Sequence, residues 1–138
     1  MFDTIRTAHY FKVAVPDKPG EAAKRLGTLR AAGITLAAFS GFPRARGAQL
    51  DFVTTDPMAF KDAAKRAKWK VQGPKTCFLA EGEDRAGAVA DLTERLAAAK
   101  INVTAIDAVC SGQGRYGAIF WVRPRDVKKT ALVFGIQA

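Results

Sequence analysis

Residues 16–29 read PDKPGEAAKRLGTL and residues 33–36 continue as GITL; much the same passage returns at 83–96 as EDRAGAVADLTERL, followed at 100–103 by KINV. Each passage breaks at a glycine and opens into an amphipathic run. Ala22, Leu26, Leu29 and Gly33 recur at helical spacing, as do Val89, Leu92, Leu96 and Ala99. Helices are therefore predicted over residues 20–32 and 87–99. Gly33 is a natural helix stop. Lys100 stands in its place in the second passage and is not, although a cation suits a helix C-terminus.

Working outward, an offset of 67 positions brings the whole chain onto itself without a gap. Phe11 meets Phe78, Asp17 meets Asp84, Gly20 meets Gly87, Leu29 meets Leu96, Ile34 meets Ile101, Gly47 meets Gly114 and Pro57 meets Pro124. Such constant register signals an internal duplication. In each copy an alternating strand (HYFKVAV, KTCFLAEG) precedes the helix. After it come a β run (ITLAAFSGF, INVTAIDAV), a turn (PRARG, SGQG) and a second strand (QLDFVTT, YGAIFWV). A short basic helix then opens on Pro57, capped by Asp56, and on Pro124 without such a cap. WKVQ is a candidate last strand of the first copy, whereas the matching FGIQA is short.

The order βαββαβ, twice, is the ferredoxin-like arrangement, an α+β class with two helices over one face of an antiparallel sheet. The expectation is two such units, residues 1–73 and 74–138, sharing one continuous sheet. The strand after each first helix lies at an edge and invites pairing. The run 34–42 is therefore expected to pair with 101–109, each copy covering the other's edge.

The chain has 138 residues, about half of them apolar and a quarter charged, a globular composition. Its formal charge is +9, with +7 in residues 1–73 and +2 in 74–138. This bias suits an acidic partner or nucleic acid, or is a solvated basic surface. No run approaches the length needed to span a bilayer, and MFDTIRTAHYFKV is not a signal peptide. A cytoplasmic protein with no membrane association is the expectation. Cys77 and Cys110 fall in strand-like contexts and read as buried packing rather than as a disulfide pair. His9, the single histidine, lies ahead of the first strand run and reads as a surface residue; the His and Cys content is too small for a zinc site. Neither a cofactor nor a metal is expected.

Where a strand turns into a helix, unpaired backbone N–H groups and a partial positive charge face the turn, and a glycine there leaves room for a ligand. Gly20 and Gly87 thus mark two places suited to a carboxylate or similar anion, or two tight turns that need glycine for geometry alone.

The ordered pattern of strand, Asp17-Lys18-Pro19-Gly20, Leu26, Leu29, Ala32-Gly33-Ile34 and hairpin resembles the ACT domain, a small-molecule regulatory module. The second copy keeps Asp84, Arg85, Gly87, Leu96 and Ile101 but has Ala86 for the proline and Lys100 for the later glycine. The resemblance covers nearly the whole chain and is to the stand-alone tandem type. It implies paired units with amino acids bound at their interface, the first loop of one unit facing the second strand of the other. Carried over by position, it implies ligand contacts from Asp17, Lys18, Pro19, Gly20, Thr35, Asp84, Arg85, Gly87 and Asn102. Asn102 matches the family's ligand-contacting asparagine; Thr35 departs from it. Asp17 and Asp84 replace a neutral Asn, which favours an amine or weakens carboxylate binding. The two pockets are thus expected to be unequal, with loop 16–20 and Asn102 the stronger pair. The resemblance further implies a non-catalytic amino acid sensor that signals through a partner enzyme or regulator, as a homodimer.

Three other readings fit parts of the chain. An acylphosphatase-like enzyme would use Arg85 and Asn102, but GEDRAG sets two carboxylates beside the anion site, where they repel phosphate. An RNA-binding sheet would need exposed aromatics; only Phe52, Phe120 and Trp121 offer themselves, and Phe52 and Phe120 do not match at the repeat offset. A ligand-free dimerisation or adaptor module stays open.

Overall fold

The repeat passages fold as their periodicity predicts. The computed structural model describes residues 3–138. In chain order the elements are strand β1 (Thr4–Val15), helix α1 (Glu21–Ala31), β2 (Leu36–Arg44), β3 (Gly47–Thr54), α2 (Pro57–Arg66), β4 (Val71–Glu83), α3 (Ala88–Ala98), β5 (Val103–Gly112), β6 (Arg115–Val122), a 3₁₀ turn (Pro124–Asp126) and α4 (Val127–Phe134). The strands form one six-stranded antiparallel sheet in the order β2-β3-β1-β4-β6-β5. The fold is α+β, with two ferredoxin-like units in tandem.

Two features of that order were not anticipated. The runs containing β2 and β5 do not pair with each other; they stand at opposite ends of the sheet. The reason lies in β1 and β4, which are 12 and 13 residues long, roughly twice an average strand. Each is long enough to serve both units. One compact unit is His9–Lys75; the other is Thr76–Ala138 together with the N-terminal residues up to Ala8. The N-terminal part of β1 thus supplies the second unit with the strand that FGIQA does not form; residues 135–138 adopt no regular structure.

In the first unit, Phe11, Val13 and Val15 of β1 and Leu50 and Phe52 of β3 alternate onto one sheet face, under Leu29 of α1 and Phe60, Ala63 and Ala64 of α2. Phe11 stacks on Phe60 at 4.6 Å between ring centroids, and Trp69 closes the cluster 5.9 Å from Phe52. Asp56 caps α2 by accepting a 3.1 Å bond from the Ala59 amide, with Pro57 at the first helical position. The second unit repeats the design: Phe78, Ala80, Phe120 and Val122 lie under Leu92 and Leu96 of α3, and Ile5 packs against this cluster. After Pro124 the chain makes the 3₁₀ turn before α4, the counterpart of α2, begins.

The duplication carries even its irregularities. Both edge strands bulge at the same place, between Leu36 and Ala38 and between Val103 and Ala105, 67 positions apart. The register then departs from the ungapped offset. Phe11 pairs with Phe52, and Phe78 with Phe120, so β3 and β6 are displaced by 68. A second bulge between Cys110 and Gly112, which the first copy lacks, accommodates the extra residue, Ser111. Phe52 and Phe120 are therefore structural equivalents, and both are fully buried under helices. They provide no exposed stacking platform for RNA bases.

Candidate functional site

Gly20 and Gly87 sit immediately before α1 and α3 with φ of 89° and 80°, the left-handed region that only glycine occupies freely. A Cβ at either position would meet open space. Backbone conformation therefore demands these glycines, and the space above them is available. The two loops share one hydrogen-bond scheme. Lys24 and Asp91 amides donate to the Gly20 and Gly87 carbonyls at 2.9 Å, and Glu21 and Ala88 amides donate to Lys18 and Arg85 carbonyls at 3.4 and 3.2 Å. No side chain caps either helix start.

At the far end of each helix, the Ile34 and Ile101 amides reach back to the Leu29 and Leu96 carbonyls, the six-to-one bond of a Schellman motif. Gly33 (φ 72°) and Lys100 (φ 60°) both take the left-handed conformation this requires. Lys100 is thus a helix stop after all, its conformation imposed by the flanking contacts. Thr35 and Asn102 follow, and both are exposed.

The second loop opens onto a cavity of about 300 Å³ within its own unit. Asp84, Arg85 and Gly87 line one side, the Ala88–Ala90 turn of α3 gives an apolar floor, and Ala108, Val109 and Cys110 of β5 with Tyr116 of β6 complete the wall. Of the residues anticipated from sequence, the cavity gathers Asp84, Arg85 and Gly87. Asn102 belongs to the same unit and does not line it. Asp17, Lys18, Pro19 and Gly20 form the exposed equivalent loop of the first unit, to which Thr35 also belongs.

The electrostatics of this cavity are set by residues that local pattern did not single out. Arg85 is fixed between two carboxylates, donating to Asp3 at 3.1 Å and to Asp91 at 3.0 Å, with a 3.4 Å bond to the Glu83 carbonyl. The bond to Asp3, then that to Asp91, raises its pKa further. Its charge is therefore largely answered by its neighbours. Cys110 is exposed, not buried as its strand context suggested, because it lies in the exposed C-terminal part of the edge strand β5. The neighbouring Asp84, with some burial, raises the pKa of its thiol. Cys77, by contrast, is buried as expected.

The Tyr116 hydroxyl is buried and faces Asp3 without forming a well-aligned hydrogen bond. Burial first, and the neighbouring Asp3 second, push its pKa up to about 12. Asp3, Asp84 and Asp91 around one committed arginine leave this corner acidic, a setting for an ammonium group more than for a phosphate. His9 is exposed, within β1 rather than ahead of it.

No family model matches the sequence, and no curated protein matches it. Solved structures share the fold. A protein from Bacteroides thetaiotaomicron superposes with a TM-score of 0.80 over 95% of this chain and 88% of its own, at 17% identity. The ligand-free regulatory subunit of aspartate kinase from Thermus thermophilus gives 0.64 over 96% and 94%, at 17% identity. The corresponding subunit from Thermus flavus gives 0.62 over the same shares, at 16%. Among the described residues no helix is long and apolar enough to cross a membrane. Over nearly its whole length the chain thus shares the fold of these regulatory subunits, with two ferredoxin-like units in tandem.

Proposed function

We propose that the protein is a non-catalytic regulatory module that binds an amino acid or a closely related small molecule and transmits its presence through association with a partner. The observation that carries this reading is the uncapped start of α3 at Gly87, beside a cavity with an acidic corner and an apolar floor. Helix amides suit a carboxylate, Asp84 suits an ammonium, and Ala88, Val89 and Val109 suit a short apolar side chain. The aspartate kinase regulatory subunits support a regulatory role for the fold.

Association follows from the sheet order. Among the described residues, β2 and β5 each have one side with no strand partner. An unprotected edge accepts another strand, so a homodimer or a partner regulator joins there. Asn102 and Thr35, just ahead of these edge strands, are placed to meet the first loop of a second copy, Asp17–Gly20 or Asp84–Gly87. The proposed ligand set is therefore completed by association, and ligand is coupled to it by binding the associated state better.

Thermal melting against the common amino acids tests the reading. A ligand at about 100 times its dissociation constant stabilises by about 2.7 kcal/mol. That response should fall in Asp84→Asn and Asn102→Ala. One observation favours the ligand-free adaptor: Arg85 is already satisfied by Asp3 and Asp91, so its loop is ordered without a ligand. A flat response to all twenty amino acids, unchanged in both variants, selects that reading.

A further inference from the structure

The positive charge of the chain follows its structural units more sharply than its sequence halves. His9–Lys75 contains 13 Lys and Arg against 5 Asp and Glu; the rest of the chain contains 9 against 8. Part of that excess converges on the face of the first unit's sheet turned away from α1 and α2. With Phe11, Val13, Leu50 and Phe52 under the helices, the alternate residues Lys12, Gln49 and Asp51 take the other face.

Lys12 of β1 lies directly across from Asp51 of β3. Gln49 and Asp51 are 8% and 4% exposed. They form a fixed polar base in which Arg44 donates to the Gln49 side-chain oxygen at 3.0 Å and the Gln49 amide donates to Asp51 at 2.8 Å. Lys75 of β4 completes the group, close enough for its charge to act on Lys12 and Asp51. Each of the four adjacent strands β2, β3, β1 and β4 thus contributes.

Three cations face one carboxylate here, and that carboxylate is buried beneath them. Two ammonium groups held together with a guanidinium repel unless an anion lies between them. Burial first, then Lys75 and Arg44, lowers the Lys12 pKa. Burial raises that of Asp51 against the opposing pull of Gln49 and the three cations. A guanidinium carries five N–H donors, and Gln49 takes one of them.

We propose that Lys12, Arg44 and Lys75 form a binding site for the phosphate group of a small molecule on this sheet face, with Gln49 and Asp51 holding Arg44 and Lys12 in place. The net excess of two positive charges matches a phosphate, which carries between one and a half and two negative charges near neutral pH. Nucleic acid is the poorer occupant. Phe11 and Phe52 lie beneath the helices and Tyr10 is 8% exposed, which leaves Phe42 of β2, across from Gln49 and 39% exposed, as a single ring beside the cations rather than the series of aromatics on which successive bases stack. The proposal is independent of the loop cavity at Gly87.

Calorimetric titration of the full chain with inorganic phosphate, and separately with glycerol phosphate, at ionic strength held constant with sodium chloride tests it. Saturable binding is expected, with affinity about tenfold lower in the double variant Lys12→Gln/Lys75→Gln and unchanged in Lys61→Gln/Lys65→Gln on α2. Asp51→Asn, which removes the one opposing charge while keeping an acceptor for Gln49, should bind more tightly than the native chain. Inorganic phosphate alone binding would identify the free ion as the source; glycerol phosphate binding as well would identify a phosphomonoester. The proposal is overturned by the absence of saturable binding of both probes, by equal losses in the two double variants, or by binding of mixed-sequence RNA while both probes are silent. Weaker binding in Asp51→Asn, with the fold intact by circular dichroism, would overturn the stated role of Asp51.

Discussion

Ile5→Ala tests the sharing of β1 between the units. Ile5 is half-buried and packs against the cluster of Phe78, Leu96 and Phe120, although it precedes His9, where the first unit begins. The substitution removes three carbons. At about 0.8 kcal/mol per fully buried carbon, scaled by half for partial burial, the loss is about 1 kcal/mol. Native-state hydrogen exchange localises such a loss, because amides report the opening of the unit that protects them. Exchange should accelerate about fivefold in β6 and the 76–83 part of β4. The amides of β2 and β3 should change little. Val13→Ala is the matched perturbation at the other end of the same strand; Val13 is 2% exposed and belongs to the Phe11–Phe60 cluster. It should loosen β3 and α2 first. Should Ile5→Ala act mainly on β2 and β3, or should the two variants give one indistinguishable pattern, the division of β1 would be wrong.

Three further outcomes follow from local geometry. Lys100→Gly should stabilise the protein by about 1 kcal/mol in urea denaturation, since Lys100 holds a left-handed φ of 60° that glycine adopts without strain. Asp56→Ala should cost about 1 kcal/mol in the same assay, by leaving the Ala59 amide of α2 without its cap. Tyr116 governs the alkaline limit. Its pKa stands at about 12 in the folded chain, against an ordinary value of 10.0, so its stabilising effect is full below pH 10 and is lost as pH rises toward 12. Tyr116→Phe should therefore flatten the fall in melting temperature between those values; an unchanged slope would show that another group sets it.

The helices and most strands could be read from the chain because each repeats a local pattern: a glycine turn, a heptad-like stripe, an alternating run. What could not be read was non-local. The strand that completes the second unit comes from TIRTA at residues 4–8, whose single large apolar residue, Ile5, gives no strong alternation. Without that strand in view, pairing β2 with β5 was the natural way to cover two open edges. The candidate cavity shows the same division. Asp84, Arg85 and Gly87 were visible in a short motif, whereas the Asp3 partner of Arg85 is 82 residues away in sequence. Cys110 carried the pattern of a buried strand residue, yet it stands near the exposed end of an edge strand, just before the inserted Ser111. That same insertion concealed the equivalence of Phe52 and Phe120, which becomes plain only when each is seen opposite its partner phenylalanine across the sheet.

Sharing β1 also has a temporal side. A chain emerging from the ribosome exposes its N-terminal domain first, and domains tend to fold as units. Once Lys75 has cleared the exit, every residue of the first unit is present. The five residues Thr4–Ala8 have by then also been made, yet their neighbours on β4 and in the Phe78 cluster are still to come. A segment synthesised ahead of the first unit is thereby among the last of the two units to find its place, and the second half matures around a strand that has been waiting for it.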